Sequence, residues 1–288
     1  MNKTKIKSFV KRVFNLRPIQ YTTIELKYVE NTTLLRGRCA LITGGTSGIG
    51  YSIARAFLQA GAGVIITGRN QERLIKATET LSPSGQVSGF VLDNTKVDSY
   101  EEAFSQIMST VQNVGFPCID ILVNNAGVNY KGMPNATEEE YDMVMDTNLK
   151  GAFFLSQMFG KYLVANQIKG NILNIASASS LRPADSAYTL SKWGLRGLTL
   201  GLAKALGPNG ITVNGIAPGP TATPMMKRNG DTNMALDRIP LGRYIMPEEI
   251  ANMAVILVSD MGRSVLGDIV YMTGGAGLLT YDDVNYSF

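Results

Sequence analysis

From Arg38 onward the chain alternates short apolar runs with longer amphipathic stretches, and this rhythm restricts the fold more than any other feature. The runs are CALIT (39–43), GVIIT (63–67), VSGFVL (87–92), IDILVNN (119–125), NILNIAS (171–177), ITVNGIAP (211–218) and DIVYMT (268–273). Each is short, nearly continuous and rich in β-branched residues, the pattern of strands buried on both faces of a parallel sheet. Stretches of helical length lie between them, at 49–60, 70–81, 97–112, 138–166, 186–206 and 247–259. Alternation of this kind implies right-handed crossovers. The expected architecture is therefore α/β: a Rossmann-like doubly wound parallel sheet of about seven strands with helices on both faces. Neither an internal repeat nor a composition break follows residue 36, so 36–288 is expected to be one domain and 1–35 an extension. The segment 220–246 interrupts the rhythm; it is polar, contains methionines and follows a strand end, where a lid over a site belongs.

The first strand runs directly into TGGTSGIG (43–50) and then into a helix. Gly44 suits a tight turn, Gly48 lets backbone amides approach a pyrophosphate, and Gly50 lets the helix pack closely. A helix N-terminus at this point offers unpaired N–H groups and a positive dipole end to an anion. At the head of a strand–turn–helix unit this reads as a dinucleotide site. The second strand ends in Gly68, where an acidic residue would bind a free ribose hydroxyl, and Arg69 follows, placed to pair with a 2′-phosphate. NADP(H) is thus expected over NAD(H).

The chain contains no histidine, yet Tyr188 and Lys192 stand four positions apart in SAYTLSKWG, on one face of a helix. A phenol ionises near pH 10, and acid/base work near neutrality calls for lowering this by about three units, or about 4 kcal/mol. A lysine one turn away supplies part of that through its charge. An isolated pair of this spacing is also what any surface helix offers, so its neighbours decide between the two readings.

Those neighbours recur in order: the glycine loop, NNAG at 124–127, Asn148 in TNLKG, Ser177 after NILNIA, YTLSK, and APGPTATP at 217–224. Together they resemble the short-chain dehydrogenase/reductase family over about residues 37–275. The resemblance implies an oxidoreductase that exchanges a hydride between a nicotinamide cofactor and a secondary alcohol or ketone. It implies a catalytic set of Asn148, Ser177, Tyr188 and Lys192, with Tyr188 as general acid/base, Ser177 holding the substrate oxygen, and Asn148 supporting a water relay toward the lysine. It also implies cofactor contacts from Gly44, Thr46, Ser47, Gly48, Ile49 and Gly50, from Arg69, and from Asp93 and Asn94 after the third strand. Asn125, Ala126 and Gly127 would line the cleft, Tyr188 and Lys192 would touch the nicotinamide end, and Pro218, Gly219 and Thr221 would close it. The serine-to-tyrosine spacing is eleven, shorter than the family's usual twelve or thirteen, and Ser179 and Ser180 stand close by. A silent dinucleotide-binding protein on the same scaffold is the alternative function.

Partners follow from charge and apolar pattern. The six cations before Gln20 face no acid, and the remaining chain is slightly acidic, which argues against a nucleic-acid-binding body. Two cysteines without histidine make no ordinary zinc site, and a reducing, cytoplasmic setting is expected. The family resemblance implies a homo-oligomer, tetramer or dimer, paired through 97–112 and 138–166. Ile6, Phe9, Val10, Val13 and Phe14 form an apolar stripe within 5–17, among basic residues. Docking of that arm on the enzyme body is favoured over peripheral contact with an anionic membrane, because so short a helix needs a surface. Trp193 is expected to pack, and the pocket to be formed by 178–187, the neighbourhood of Asn129 and Tyr130, and the lid.

Overall fold

The computed structural model describes residues 33–113, 115–226, 234–236 and 238–277. The basic arm at 5–17 and the central part of the lid, 227–233, lie outside the described residues. Seven parallel strands form one sheet in the order β3-β2-β1-β4-β5-β6-β7. They are β1 (Cys39–Thr43), β2 (Gly63–Gly68), β3 (Val87–Val91), β4 (Ile121–Asn124), β5 (Asn171–Ile175), β6 (Thr212–Pro218) and β7 (Ile269–Met272). The helices are α1 (Gly48–Gln59), α2 (Gln71–Leu81), α3 (Tyr100–Asn113), α4 (Glu138–Met145), α5 (Gly151–Ala165), α6 (Ala187–Leu206) and α7 (Pro247–Val258).

Strand alternation divides the apolar runs between two cores. Ala40 and Ile42 of β1 face one side, with Phe57 of α1, Leu74 of α2 and Ile250 and Ala254 of α7. Cys39 and Leu41 face the other, with Ile107 of α3, Leu155 and Phe159 of α5 and Ala203 of α6. Continuous apolar runs are what such a sandwich demands. The chain winds outward from β1 to β3, then returns to pair β4 on the other side of β1, with Ile42 flanked by Ile66 and Val123. That reversal opens a crevice at the carboxyl ends of β1 and β4.

Two expectations are corrected. The third strand is not buried on both faces: β3 is the sheet edge, paired only to β2, and its Val91 is 52% exposed. The stretch 138–166 is not one regular helix. A wide π turn over Asp146–Lys150 separates α4 from α5 and carries Asn148. Among the described residues, no helix is long and apolar enough to cross a membrane.

At the amino ends of the strands, Arg38 ties four segments together. Its guanidinium donates to Asp120, to Asn171 Oδ1 at 2.6 Å and to the Val258 carbonyl at 3.2 Å. Asp120 also accepts from the Cys39 amide at 2.9 Å, and Asn171 donates to Thr212 Oγ1 at 2.6 Å. Burial holds the Asp120 carboxyl above its ordinary range in spite of Arg38, so attraction offsets desolvation only in part. The pair fixes strand positions more than it adds net energy. Asp120→Ala, which strands the guanidinium, is expected to cost about 3 kcal/mol in urea unfolding; a loss below about 1 kcal/mol would show that the cluster does not hold the strands.

Candidate active site

The turn after β1 is held by β4. Thr43 Oγ1 accepts from the amides of Asn125 and Ala126 at 3.0 and 3.1 Å, and Asn125 Nδ2 donates to the carbonyls of Thr43 and Gly44 at 2.9 and 3.0 Å. Gly44 turns with φ +65°, and a Cβ there would lie 2.9 Å from Ala126 Cα. Gly48 has φ +57° at the start of α1. Among the described residues no side chain caps α1, and no acid lies in its first turn, so its first amides are left for an anion. A Cβ on Gly50 would meet Asn125 Nδ2 at 2.3 Å, so this glycine admits the neighbouring asparagine rather than a strand.

The crevice is a cleft of about 920 Å³. Gly44, Thr46, Ser47, Gly48 and Ile49 border it from the glycine loop, and Arg69 from the end of β2. Asn125, Ala126 and Gly127 border it from β4, Ser177, Tyr188 and Lys192 from its floor, and Pro218, Gly219 and Thr221 from β6. Four sequence candidates do not border it. Gly50 is buried behind the loop. Asp93 closes a local turn, accepting from Thr95 N and Oγ1 at 3.0 and 2.9 Å. Asn94 is buried, its carbonyl taken by the Tyr100 hydroxyl at 2.7 Å. Asn148 is buried too; its Oδ1 accepts from Val128 N at 2.8 Å, and its two amide hydrogens go to Val128 O at 3.0 Å and Ser191 Oγ at 3.2 Å. The π turn is what aims that side chain across to α6.

Tyr188 lies in the first turn of α6, which Ser186 caps by accepting from Thr189 N at 3.3 Å. Lys192 follows one turn later, its Nζ 5.6 Å from the tyrosine ring centre and donating to the Ile175 carbonyl at 2.8 Å. Ser177 stands beside the Tyr188 hydroxyl and favours its ionised form. The neighbouring serines do different work: Ser180 is fully buried and donates to the Ser177 carbonyl at 2.8 Å, while Ser179 offers its amide to Ser177 Oγ at 3.1 Å. The shortened loop after Ser177 is tied down at both ends. Trp193 Nε1 donates to the Arg182 carbonyl at 2.8 Å, and Met133 N donates to the Asp185 carbonyl at 2.8 Å. Trp193 is therefore half-exposed and packs as a clamp on that loop.

A glycine loop, a serine, a tyrosine and a lysine thus share one cleft. A family model described as enoyl-(acyl carrier protein) reductase matches residues 44–277. The chain is a short-chain dehydrogenase/reductase. It is 38% identical over 249 residues to the 3-oxoacyl-[acyl-carrier-protein] reductase FabG of Thermotoga maritima, covering 84% of this chain and 98% of that one. It is 36% identical over 253 residues to the 3alpha-hydroxysteroid dehydrogenase of Mediterraneibacter gnavus, again covering 84% and 98%. A short-chain dehydrogenase of Burkholderia cenocepacia, solved in complex with NADP, superposes with a TM-score of 0.74 at 30% identity, covering 84% of this chain and 98% of that one.

Sequence reasoning missed several cleft residues of this dehydrogenase/reductase. Asn70 and Arg73, beside Arg69, are two of these, whereas Arg238 and Ile239 border the cleft from the expected lid, which forms its roof. Arg73 was legible as the residue whose amide Asn70 caps, at 2.9 Å, one turn from Arg69. Gly68 is more than a missing acid, since a Cβ there would press on Thr46 Cγ2 at 3.0 Å.

The expected lowering of the tyrosine is also corrected. Burial pushes the Tyr188 phenol up, and only Ser177 beside it opposes this. Lys192 aims at Ile175 instead and is itself pushed down to about 8 by burial. A lysine lowered from its ordinary 10.5 burdens the fold with a desolvated charge below pH 8, and that burden lifts as pH rises toward 10.5. The melting temperature of Lys192→Met relative to the parent is therefore expected to be highest at and below pH 8, and to fall between pH 8 and 10.5. A difference independent of pH would contradict the buried ammonium.

Proposed function

We propose that this dehydrogenase/reductase interconverts a secondary alcohol and a ketone with NADP(H), using Tyr188 as general acid/base. The observation carrying this reading is that Ser177, Tyr188 and a buried Lys192 border one cleft together with the glycine loop. The loop fits a dinucleotide: side chains at Gly44 or Gly48 would meet positive φ, and the Gly44 position is closed by Ala126. When bound, the nicotinamide supplies the acceptor or donor of hydride.

The chain's own residues do the rest. Ser177 and Tyr188 present adjacent hydroxyls, so one substrate oxygen accepts from both and is held for proton transfer at the phenol. Lys192, one turn below, holds ribose hydroxyls of the bound cofactor. Asn148 acts as a positioning residue, fixing Val128 in the wall and Ser191 beside the lysine; a relay through it is left the second lone pair of Oδ1. Asp93 and Asn94 remain assigned to the adenine end.

Oligomerisation is better supported through α5 and α6 than through α3. Phe153, Phe154, Leu190, Trp193 and Leu200 are exposed on the former pair, while α3 shows solvent Glu101, Glu102, Ser105 and Gln106. A homo-oligomer joined there would cover these apolar side chains. Free Cys39 and Cys118 suit a reducing cytoplasm.

Tyr188→Phe is expected to bind NADPH nearly as the parent does while kcat falls more than about a hundredfold. A variant retaining a tenth of parental kcat, with chemistry rate-limiting, would overturn the assignment and favour a silent binding protein. For the cofactor, kcat/KM is expected to favour NADPH over NADH by at least about tenfold, and Arg69→Ala to shrink that ratio. Among the described residues neither Arg69 nor Arg73 is ion-paired. A parental preference for NADH would refute it.

A further inference from the structure

We propose, resting on the oxidoreductase reading above, that the substrate end of the cleft takes an anion: a secondary alcohol or ketone bearing a carboxylate, gripped by Arg182 and Arg238. Among the described residues, the charged side chains bordering the cleft are five cations and one acid, Asp185. Arg69 and Arg73 stand at the β2 end, and Lys192 is buried in the floor. Two guanidinium groups therefore remain for the end beyond Tyr188.

They converge on one turn. Arg182 Nε lies 3.7 Å from the point where a side chain on Gly277 would begin. The segment carrying Arg238 packs on the same turn: Leu241 N donates to the Gly274 carbonyl at 3.0 Å, and Pro240 Cγ stands 2.7 Å from the Cβ position of Gly275. Ala276, between them, borders the cleft.

Arg182 is also placed with respect to the chemistry. Its amide donates to the Ser179 carbonyl at 3.1 Å, and its carbonyl is held by Trp193, the residue after Lys192. These bonds hold the backbone of Arg182 between Ser179 and Trp193, and its side chain makes no hydrogen bond among the described residues. Among the described residues neither Arg182 nor Arg238 is ion-paired, whereas Arg38, Arg55, Arg243 and Arg263 each hold a carboxylate. Two such forks in a concave site, with no carboxylate on them among the described residues, match a planar carboxylate, which a guanidinium reads with two parallel hydrogen bonds. Met225, Met226 and Ile239 offer apolar contact to the body of the same molecule.

Acetoacetate and methyl acetoacetate carry the same ketone and differ in charge. With NADPH, kcat/KM is expected to favour the acid by at least about tenfold, and Arg182→Met or Arg238→Met to collapse that ratio toward one through the KM of the acid. In parallel, 3-hydroxybutyrate, gluconate and glycerol 3-phosphate are titrated onto the NADPH-loaded protein by fluorescence. The carboxylates are expected to bind, and about tenfold more weakly in either variant. A preference for the ester, a ratio unchanged in both variants, or failure of both carboxylates to bind would overturn the proposal. Tighter binding of glycerol 3-phosphate than of either carboxylate would also overturn it and assign the site to phosphate. NADPH titration of each variant reports that the fold is intact. Failure of the underlying reading shows separately, as absent NADPH binding or as turnover that survives Tyr188→Phe.

Discussion

The exchange of hydrogen bonds between Thr43 and Asn125 is the constraint on which the site depends. β1 and β4 are neighbours in the sheet but lie far apart in sequence, and nothing in a parallel ladder alone keeps the loops beyond their ends together. Thr43 Oγ1 captures two amides of the β4 loop, and the Asn125 amide returns to two carbonyls of the β1 loop. The backbone groups of both turns are thereby satisfied by each other instead of by water. That leaves the first amides of α1 for an anion. The absence of a side chain at Gly50 is what lets Asn125 reach across.

A second buried polar line runs beneath the floor. Asn124 Nδ2 donates to Ser156 Oγ and to Asn174 Oδ1, each at 2.8 Å, and Asn174 donates to Thr199 Oγ1 at 2.9 Å. It joins β4, β5, α5 and α6, and α6 is the helix that carries Tyr188 and Lys192. Paired polar groups in a core specify one arrangement where apolar packing tolerates several, and along this line Asn124 Oδ1 alone lacks a partner among the described residues. Register between the helix and β5 decides whether Lys192 reaches the Ile175 carbonyl, so this line and the chemistry are mechanically one unit.

The strand and helix positions were legible because a sheet covered on both faces leaves an apolar run for every strand, and each observed strand falls within its run to within one residue. The edge position of β3 was not, since VSGFVL reads like an interior strand until the topology is known. The π turn at Asn148 was hidden for a different reason: it arises from where the asparagine must point, toward Val128 and Ser191, and both partners are remote in sequence. Tyr188 and Lys192 were visible from helical spacing, but their electrostatics were not. Spacing gives proximity alone, whereas the protonation preference of each group is set by burial and by the Ser177 and Ile175 contacts. Arg238 was legible only as part of the lid at 220–246, since its place at the cleft depends on the roof folding back on the turn after β7.

That roof is held differently from the floor. Its return end is fixed where Arg243 donates twice to Glu249, at 2.9 and 2.8 Å, while Glu249 also accepts from Met246 N at 2.8 Å. Arg243 and the capped amide hold the Glu249 carboxyl down to about 2. The anchor is therefore in place above the ordinary carboxylate range and loosens only as pH falls from about 4.5 toward 2. Beyond it, Met225 and Met226 stand more than 40% exposed at the cleft rim. Unbranched thioether side chains adapt to the shape beside them. A rigid polar floor thus fixes the reacting atoms, and an anchored but pliant apolar rim leaves the substrate's body less narrowly defined than its oxygen.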